Sequence, residues 1–123
     1  MLPTRLIIMR HAKSSWVDSN LNDHDRPLNP RGRKDAPRIY QALMEMDWLP
    51  DTVFLSSSKR TSETLSLMNM DRNEVKIEIK PSIYHASLEE LIIQLENIEN
   101  NETTMILGHN PGSELLINYL IGE

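Results

Sequence analysis

The chain has 123 residues, 39% hydrophobic and 25% charged, with 13 Lys+Arg against 18 Asp+Glu and a formal net charge of −5. That length is one domain. The absence of cysteine excludes disulfides, thiolate zinc sites and thiolate nucleophiles, and the acidic balance counts against a nucleic-acid partner.

Short apolar runs alternate with helical patterns along the chain. Leu6-Ile7-Ile8-Met9 reads as a buried strand, and residues 12–28, polar and turn-rich, read as a long loop. Asn29-Pro30 predicts a helix start, with Asn at the N-cap and Pro in the first turn. Ala36, Ile39, Leu43 and Met46 then share one helical face. Val53-Phe54-Leu55 is a second strand. A helix from about Ser58 aligns Thr61, Leu65 and Met68 on one side. Val75 to Lys80 alternates apolar and charged residues, as a half-exposed strand does. Ser87-Leu88-Glu89-Glu90 is a capping box, opening a helix with Leu88, Leu91, Ile92, Leu95 and Ile98 at helical spacing. Thr104-Met105-Ile106-Leu107 is a fourth strand. Asn110-Pro111 repeats the helix-start signature, and Gly122 suits the end of the last helix. No apolar run approaches the ~20 residues that span a bilayer. Met1-Leu2-Pro3-Thr4-Arg5 carries no signal-peptide pattern. The expected setting is the cytoplasm, with no membrane partner.

Strands separated by helical crossovers imply an α/β fold: three layers, with a largely parallel central sheet. Ligands of such sheets sit beyond the carboxyl ends of the strands. There the chain places Arg10-His11, Ser56-Ser57-Ser58 with Arg60, Tyr84-His85, and Gly108-His109-Asn110. A guanidinium fork suits phosphate oxygens, and Arg60 near a helix N-terminus adds full charge where the helix dipole already favours anions. Each residue also has an ordinary reading. Arg10 and Arg60 are also plausible as solvated cations, His11 as a hydrogen-bonded structural histidine, and Asn110 as an N-cap. Asp23-His24-Asp25 has the Asp-x-Asp form of aspartyl-phosphate enzymes, but Leu21-Asn22 is not the buried strand that motif follows. The four histidines lack the close spacing of a metal site.

Three segments together resemble the histidine phosphatase (phosphoglycerate mutase-like) superfamily. Ile8-Met9-Arg10-His11-Ala12-Lys13-Ser14 resembles its R-H-G signature, Ser56-Ser57-Ser58-Lys59-Arg60-Thr61-Ser62-Glu63-Thr64 its second element, and Ile106-Leu107-Gly108-His109-Asn110-Pro111-Gly112 its third. Asp25-Arg26-Pro27-Leu28-Asn29-Pro30-Arg31-Gly32, the Tyr84-His85-Ala86 turn and the absence of long insertions are similar to the short phosphohistidine phosphatase (SixA-type) branch. Ala12 stands where the signature has Gly, and Glu63 where Gln is common.

The resemblance implies a single domain over 1–123, without a cap subdomain. It makes His11 the nucleophile and His11, Arg10, Arg60 and His109 the catalytic set, with His109 as an imidazolium. Ser14, Ser57, His85 and Asn110 are the implied substrate contacts. No metal or cofactor is expected, and the implied partner is a protein bearing phosphohistidine. No carboxylate matches the general acid that mutases carry after the third strand; Tyr84-His85 stands there, and either is a possible proton donor. An alkoxide, whose conjugate acid is as weak as water at roughly pKa 15.7, needs a proton to leave. Imidazole, with a pKa of about 6.5, needs less help, which favours phosphohistidine as substrate. The rivals are a small-molecule phosphomonoesterase or mutase and a non-catalytic phosphate-binding module. Complete family members continue with more sheet. A C-terminal part of the sheet is therefore expected to be missing, leaving apolar residues uncovered around Leu116 and Leu120.

Overall fold

A computed structural model describes residues 4–70 and 74–122. Four strands, β1 (Arg5–Arg10), β2 (Thr52–Leu55), β3 (Lys76–Ile79) and β4 (Thr103–Gly108), alternate with helices α1 (Pro30–Glu45), α2 (Lys59–Met68), α3 (Leu88–Leu95) and α4 (Gly112–Ile121). The sheet is parallel throughout, in the order β1-β4-β2-β3.

Strand alternation divides the core in two, because successive side chains point to opposite faces. Met9, Val53, Leu55, Met105 and Leu107 pack with Ala36 and Leu43 of α1 and Leu65 and Met68 of α2. Phe54 and Ile106 face the other way, onto Ile83, Leu91 of α3 and Leu116 of α4. The result is the expected three-layer α/β/α arrangement. β2 and β4 are central and apolar on both faces, as parallel strands covered by helices must be.

The helix starts follow local chemistry. The Asn29 side chain accepts a hydrogen bond from Gly32 N, Ser58 caps α2 through Thr61 N, and Ser87 and Glu90 form the full capping box of α3. Asn110 breaks the pattern. The helix begins at Gly112 after Pro111, and no side chain among the described residues caps it; Asn110 Nδ2 instead donates to Glu114 Oε1 at 3.0 Å. The fourth strand and fourth helix therefore meet without the expected N-cap.

Leu116 is also corrected: it is fully buried against Ile106 and Phe54. The uncovered apolar residues of α4 are Leu115, Ile117, Tyr119, Leu120 and Ile121. The Ile117–Leu120–Ile121 side of the helix turns outward because Leu116 has taken the core position. Met46, expected on the buried face of α1, is exposed at the helix end.

Candidate active site

Register assembles the site. Arg10 pairs with Gly108, and Leu55 with Leu107. His11 N donates to Gly108 O at 3.1 Å and Ser56 N to Leu107 O at 3.1 Å. The first residues beyond β1, β4 and β2 are thus His11, His109 and Ser56, side by side at the carboxyl edge. The His11 and His109 rings lie 5.2 Å apart, and His109 Nε2 shares a 2.7 Å hydrogen bond with Ser56 Oγ.

Arg60, in the first turn of α2, is 4% exposed. Its Nε donates to His11 Nε2 at 3.3 Å. Arginine stays protonated, so Nε2 is the acceptor and the ring proton sits on Nδ1. Nδ1 in turn donates to the Ala12 carbonyl at 2.6 Å. His11 therefore presents an unprotonated Nε2 beside the guanidinium. Burial lowers its pKa below the ordinary 6.5, against the Ala12 hydrogen bond, and the charges of Arg60, Arg10 and Arg26 add to the lowering. His109 is pushed down to about 3, first by burial and then by the neighbouring charge of Arg60. With the cavity free of anions a desolvated cation at His109 beside Arg60 is unfavourable, so the imidazolium that the resemblance implies is not favoured there.

The loop 12–28 is pinned over this edge. Ala12 N donates to Thr64 Oγ1 and Asn29 N to Lys13 O. Glu63 accepts from Leu28 N through Oε1 and from Arg33 through Oε2. Gly32 permits the close approach, since a Cβ there would collide with the Lys13 carbonyl. The loop's 3₁₀ turn, Asp23–Asp25, lowers Asp23 onto the site. Arg60 donates from Nη1 to Asp23 O at 2.6 Å and from Nη2 to Asp23 Oδ2 at 2.9 Å. Tyr84 Oη donates to the same Oδ2, and His85 Nε2 lies 3.0 Å from it. Arg26 Nη1 reaches Asp23 Oδ1 at 3.1 Å. The Tyr84 hydrogen bond, followed by those of Arg60 and its charge, outweighs desolvation and holds the Asp23 carboxyl well below the usual carboxylate range.

These groups line a cavity of about 620 Å³. Arg10, His11, Ser14, Arg60, His85, His109 and Asn110, all expected in the site, are brought together there. Ser57 is not among the lining residues; its Oγ bonds His24 Nε2 at 2.9 Å, and the adjacent Ser56 is the hydroxyl that reaches His109. Sequence reasoning missed Asp23, Lys13 and Trp16 as wall residues, and did not single out Arg26 and Arg31 within the motif that contains them. Trp16 stacks on the Arg26 guanidinium, 3.4 Å from ring centroid to Cζ. Five cationic side chains, Arg10, Lys13, Arg26, Arg31 and Arg60, face two carboxylates, Asp23 and Asp35. Such a cavity has the charge to attract a compact anion and could present it to an unprotonated imidazole nitrogen. Among the described residues, no group of three or more His, Cys, Asp or Glu side chains is placed to hold a metal ion.

The family model of the histidine phosphatase superfamily (branch 1) matches residues 6–117. The chain belongs to this superfamily, whose members are phosphatases and mutases. An uncharacterized chloroplastic protein of Arabidopsis thaliana is 38% identical over 129 residues, an alignment covering 96% of this chain and 59% of that protein. A 2,3-bisphosphoglycerate-dependent phosphoglycerate mutase of Streptomyces avermitilis is 37% identical over 79 residues, covering 61% of this chain and 31% of the mutase. Among solved structures, a protein assigned as the phosphohistidine phosphatase SixA of Agrobacterium tumefaciens superposes with a TM-score of 0.89 at 29% identity, covering all of this chain and 80% of that one. The phosphoglycerate mutase-like fold is therefore shared. The chain spans about three-fifths of the Arabidopsis relative's length.

Proposed function

We propose that the protein is a metal-independent phosphatase that removes phosphate from phosphohistidine on a partner protein, through a phosphohistidine formed on His11. The observation that carries this reading is the fixed His11 tautomer: Nδ1 tied to the Ala12 carbonyl, and Nε2 left unprotonated beside Arg60 in a cavity rich in cations. Nε2 attacks phosphorus in line while Arg10 and Arg60 hold the equatorial oxygens, and charge spreads over those oxygens in a loose transition state. His109 contributes its buried Nδ1, which has no hydrogen-bond partner among the described residues. The bound dianion favours a proton there, reversing the balance that keeps the ring neutral. Water then hydrolyses the intermediate.

A protein substrate is supported by the likeness to the SixA-assigned structure. The proposed compartment is the cytoplasm, a reading that the absence of cysteine supports. The test is incubation with a panel of proteins phosphorylated on histidine, following acid-labile phosphate, alongside a sugar phosphate. Faster loss from phosphohistidine is the expected result.

A second reading, a small-molecule phosphomonoesterase or mutase, is favoured by one observation. A carboxylate arrives from the loop as Asp23, in contact with Tyr84 and His85; held ionised it has no proton to give, but it can orient a neighbouring donor. The site is thus not restricted to leaving groups that depart unaided, and the argument from a missing acid loses force. Faster turnover of the sugar phosphate would select this reading. No phosphate release from any substrate would select a binding module.

A further inference from the structure

His11, Arg60 and His109 surround a phosphoryl group without supplying a proton to whatever leaves it. His11 is the nucleophile, a guanidinium keeps its protons, and a proton drawn onto His109 by a bound dianion would sit on the buried Nδ1 and stay with that dianion, while Nε2 is engaged with Ser56. Tyr84 is no better placed. Burial, followed by the Asp23 carboxylate, pushes its hydroxyl up from its ordinary value, and its proton is already committed to Asp23.

His85 is differently situated. It lines the same cavity as His11, with its side chain 60% exposed, so it can meet both a departing group and incoming water. Its ring stands 5.9 Å from His109 and 4.1 Å from Tyr84. Its backbone is in the left-handed region, φ 51°, an uncommon conformation for a residue with a Cβ and one that recurs at functional sites. Asp23, Tyr84 and His109 are the titratable groups that face it. Asp23 Oδ2 lies 3.0 Å from one ring nitrogen, Nε2, at ion-pair distance. A carboxylate on one nitrogen fixes the ring's orientation and leaves the other, Nδ1, to exchange protons with a reacting group.

We propose that His85 is the general acid and base of the reaction and that Asp23 is its positioning residue. This rests on the phosphatase reading above. In the first step the His11 Nε2 lone pair forms a bond to phosphorus, the bond from phosphorus to the leaving atom breaks, and that atom takes the proton from His85 Nδ1. In the second step water attacks phosphorus and the bond to His11 Nε2 breaks. The water's proton passes to His85 Nδ1, and phosphate is released. The sum is hydrolysis, with His85 returned to its starting state. Asp23 reaches His85 from a loop more than sixty residues away in sequence, so the pair exists only in the folded chain.

The test compares kcat/KM on phenyl phosphate, whose leaving group needs a proton, with 2,4-dinitrophenyl phosphate, whose phenolate leaves without one. His85→Asn keeps a residue at ease at positive φ. It is expected to lose about 10²-fold or more on phenyl phosphate and less than about tenfold on the dinitrophenyl ester. Asp23→Asn is expected to show the same dependence on leaving group with a smaller loss; a merely structural role would lower both substrates equally. Equal losses in both variants, or no loss in His85→Asn, overturn the assignment while leaving the phosphatase reading intact. A wild-type protein inert on both esters and on phosphohistidine overturns the phosphatase reading and this one with it.

Discussion

At the carboxyl edge of the sheet, Arg10, Lys13, Arg26, Arg31 and Arg60 surround one cavity, with Asp23 and Asp35 as its acids. At the amino edge of the same sheet the charges are reversed: Asp51, Glu74, Glu99 and Glu102 line a cavity with Lys76. A net charge of −5 thus coexists with a basic site because the sheet segregates charge by strand direction. The two edges also differ in how their polar groups are used. Asp51 Oδ2 accepts from Thr103 N, and Arg5 donates to the Asp47 carbonyl while stacking on Trp48. Those bonds tie strand to turn and finish there. At the carboxyl edge, Arg10 has no salt bridge among the described residues, and His109 Nδ1 is buried without a partner. The buried His109 Nδ1 carries a stability cost that a bound ligand can offset, whereas the exposed Arg10 is solvated and available to an anion.

If the carboxyl edge is built for chemistry and the amino edge for cohesion, substitutions should separate the two. The largest effect is expected for His11→Ala: phosphate release should fall by about 10⁴-fold or more, with the melting temperature nearly unchanged because His11 is a half-buried loop residue. Retained turnover would remove the nucleophile from the scheme. Arg60→Ala should lower kcat/KM by about 10²–10³-fold. Arg60→Lys should not restore it, since the fork that reaches His11 and Asp23 together is lost.

A pH profile sharpens the same contrast. In the proposed reaction His11 attacks unprotonated, and burial lowers its pKa from the ordinary 6.5. Protonation therefore sets in only below that value, and the acidic limb of kcat/KM attributable to His11 should lie under pH 6.5. A limb above 6.5 that persists in His85→Asn would contradict the burial argument.

Gly32→Ala tests the loop that joins the edges' roles. A Cβ must displace the Lys13 backbone, so about 1–3 kcal/mol of stability should be lost, together with activity. Thermal melts and kinetics check this together. The smallest effect is expected at the amino edge. Arg5→Ala removes an exposed hydrogen bond and a stacking contact; it should cost about 0.5 kcal/mol or less and leave kcat unchanged.

Much of this molecule is written in local pattern. The four strands, the Asn29, Ser58 and Ser87 caps, and the buried faces of α2 and α3 follow from short-range periodicity and capping chemistry. Residue type and position at strand ends likewise point to His11, Arg60 and His109. Short-range rules failed where a competing contact decided the outcome. Asn110 prefers Glu114 to its own helix terminus, and Leu116 wins the core position from the rest of α4.

What tertiary structure alone decided is the second half of the site. Ser56 rather than Ser57 meets His109 because the β2–β4 register brings Ser56 N to Leu107 O. Asp23 looked like part of a misplaced motif, since nothing near it in sequence gives a carboxylate work to do. Its place in the site depends on Glu63, Thr64 and Gly32 folding the loop back until one oxygen meets Arg60, Tyr84 and His85. Hydrogen bonds between residues 35 to 61 positions apart leave no periodic trace in a sequence. Strands and caps do, because their partners lie within a few residues.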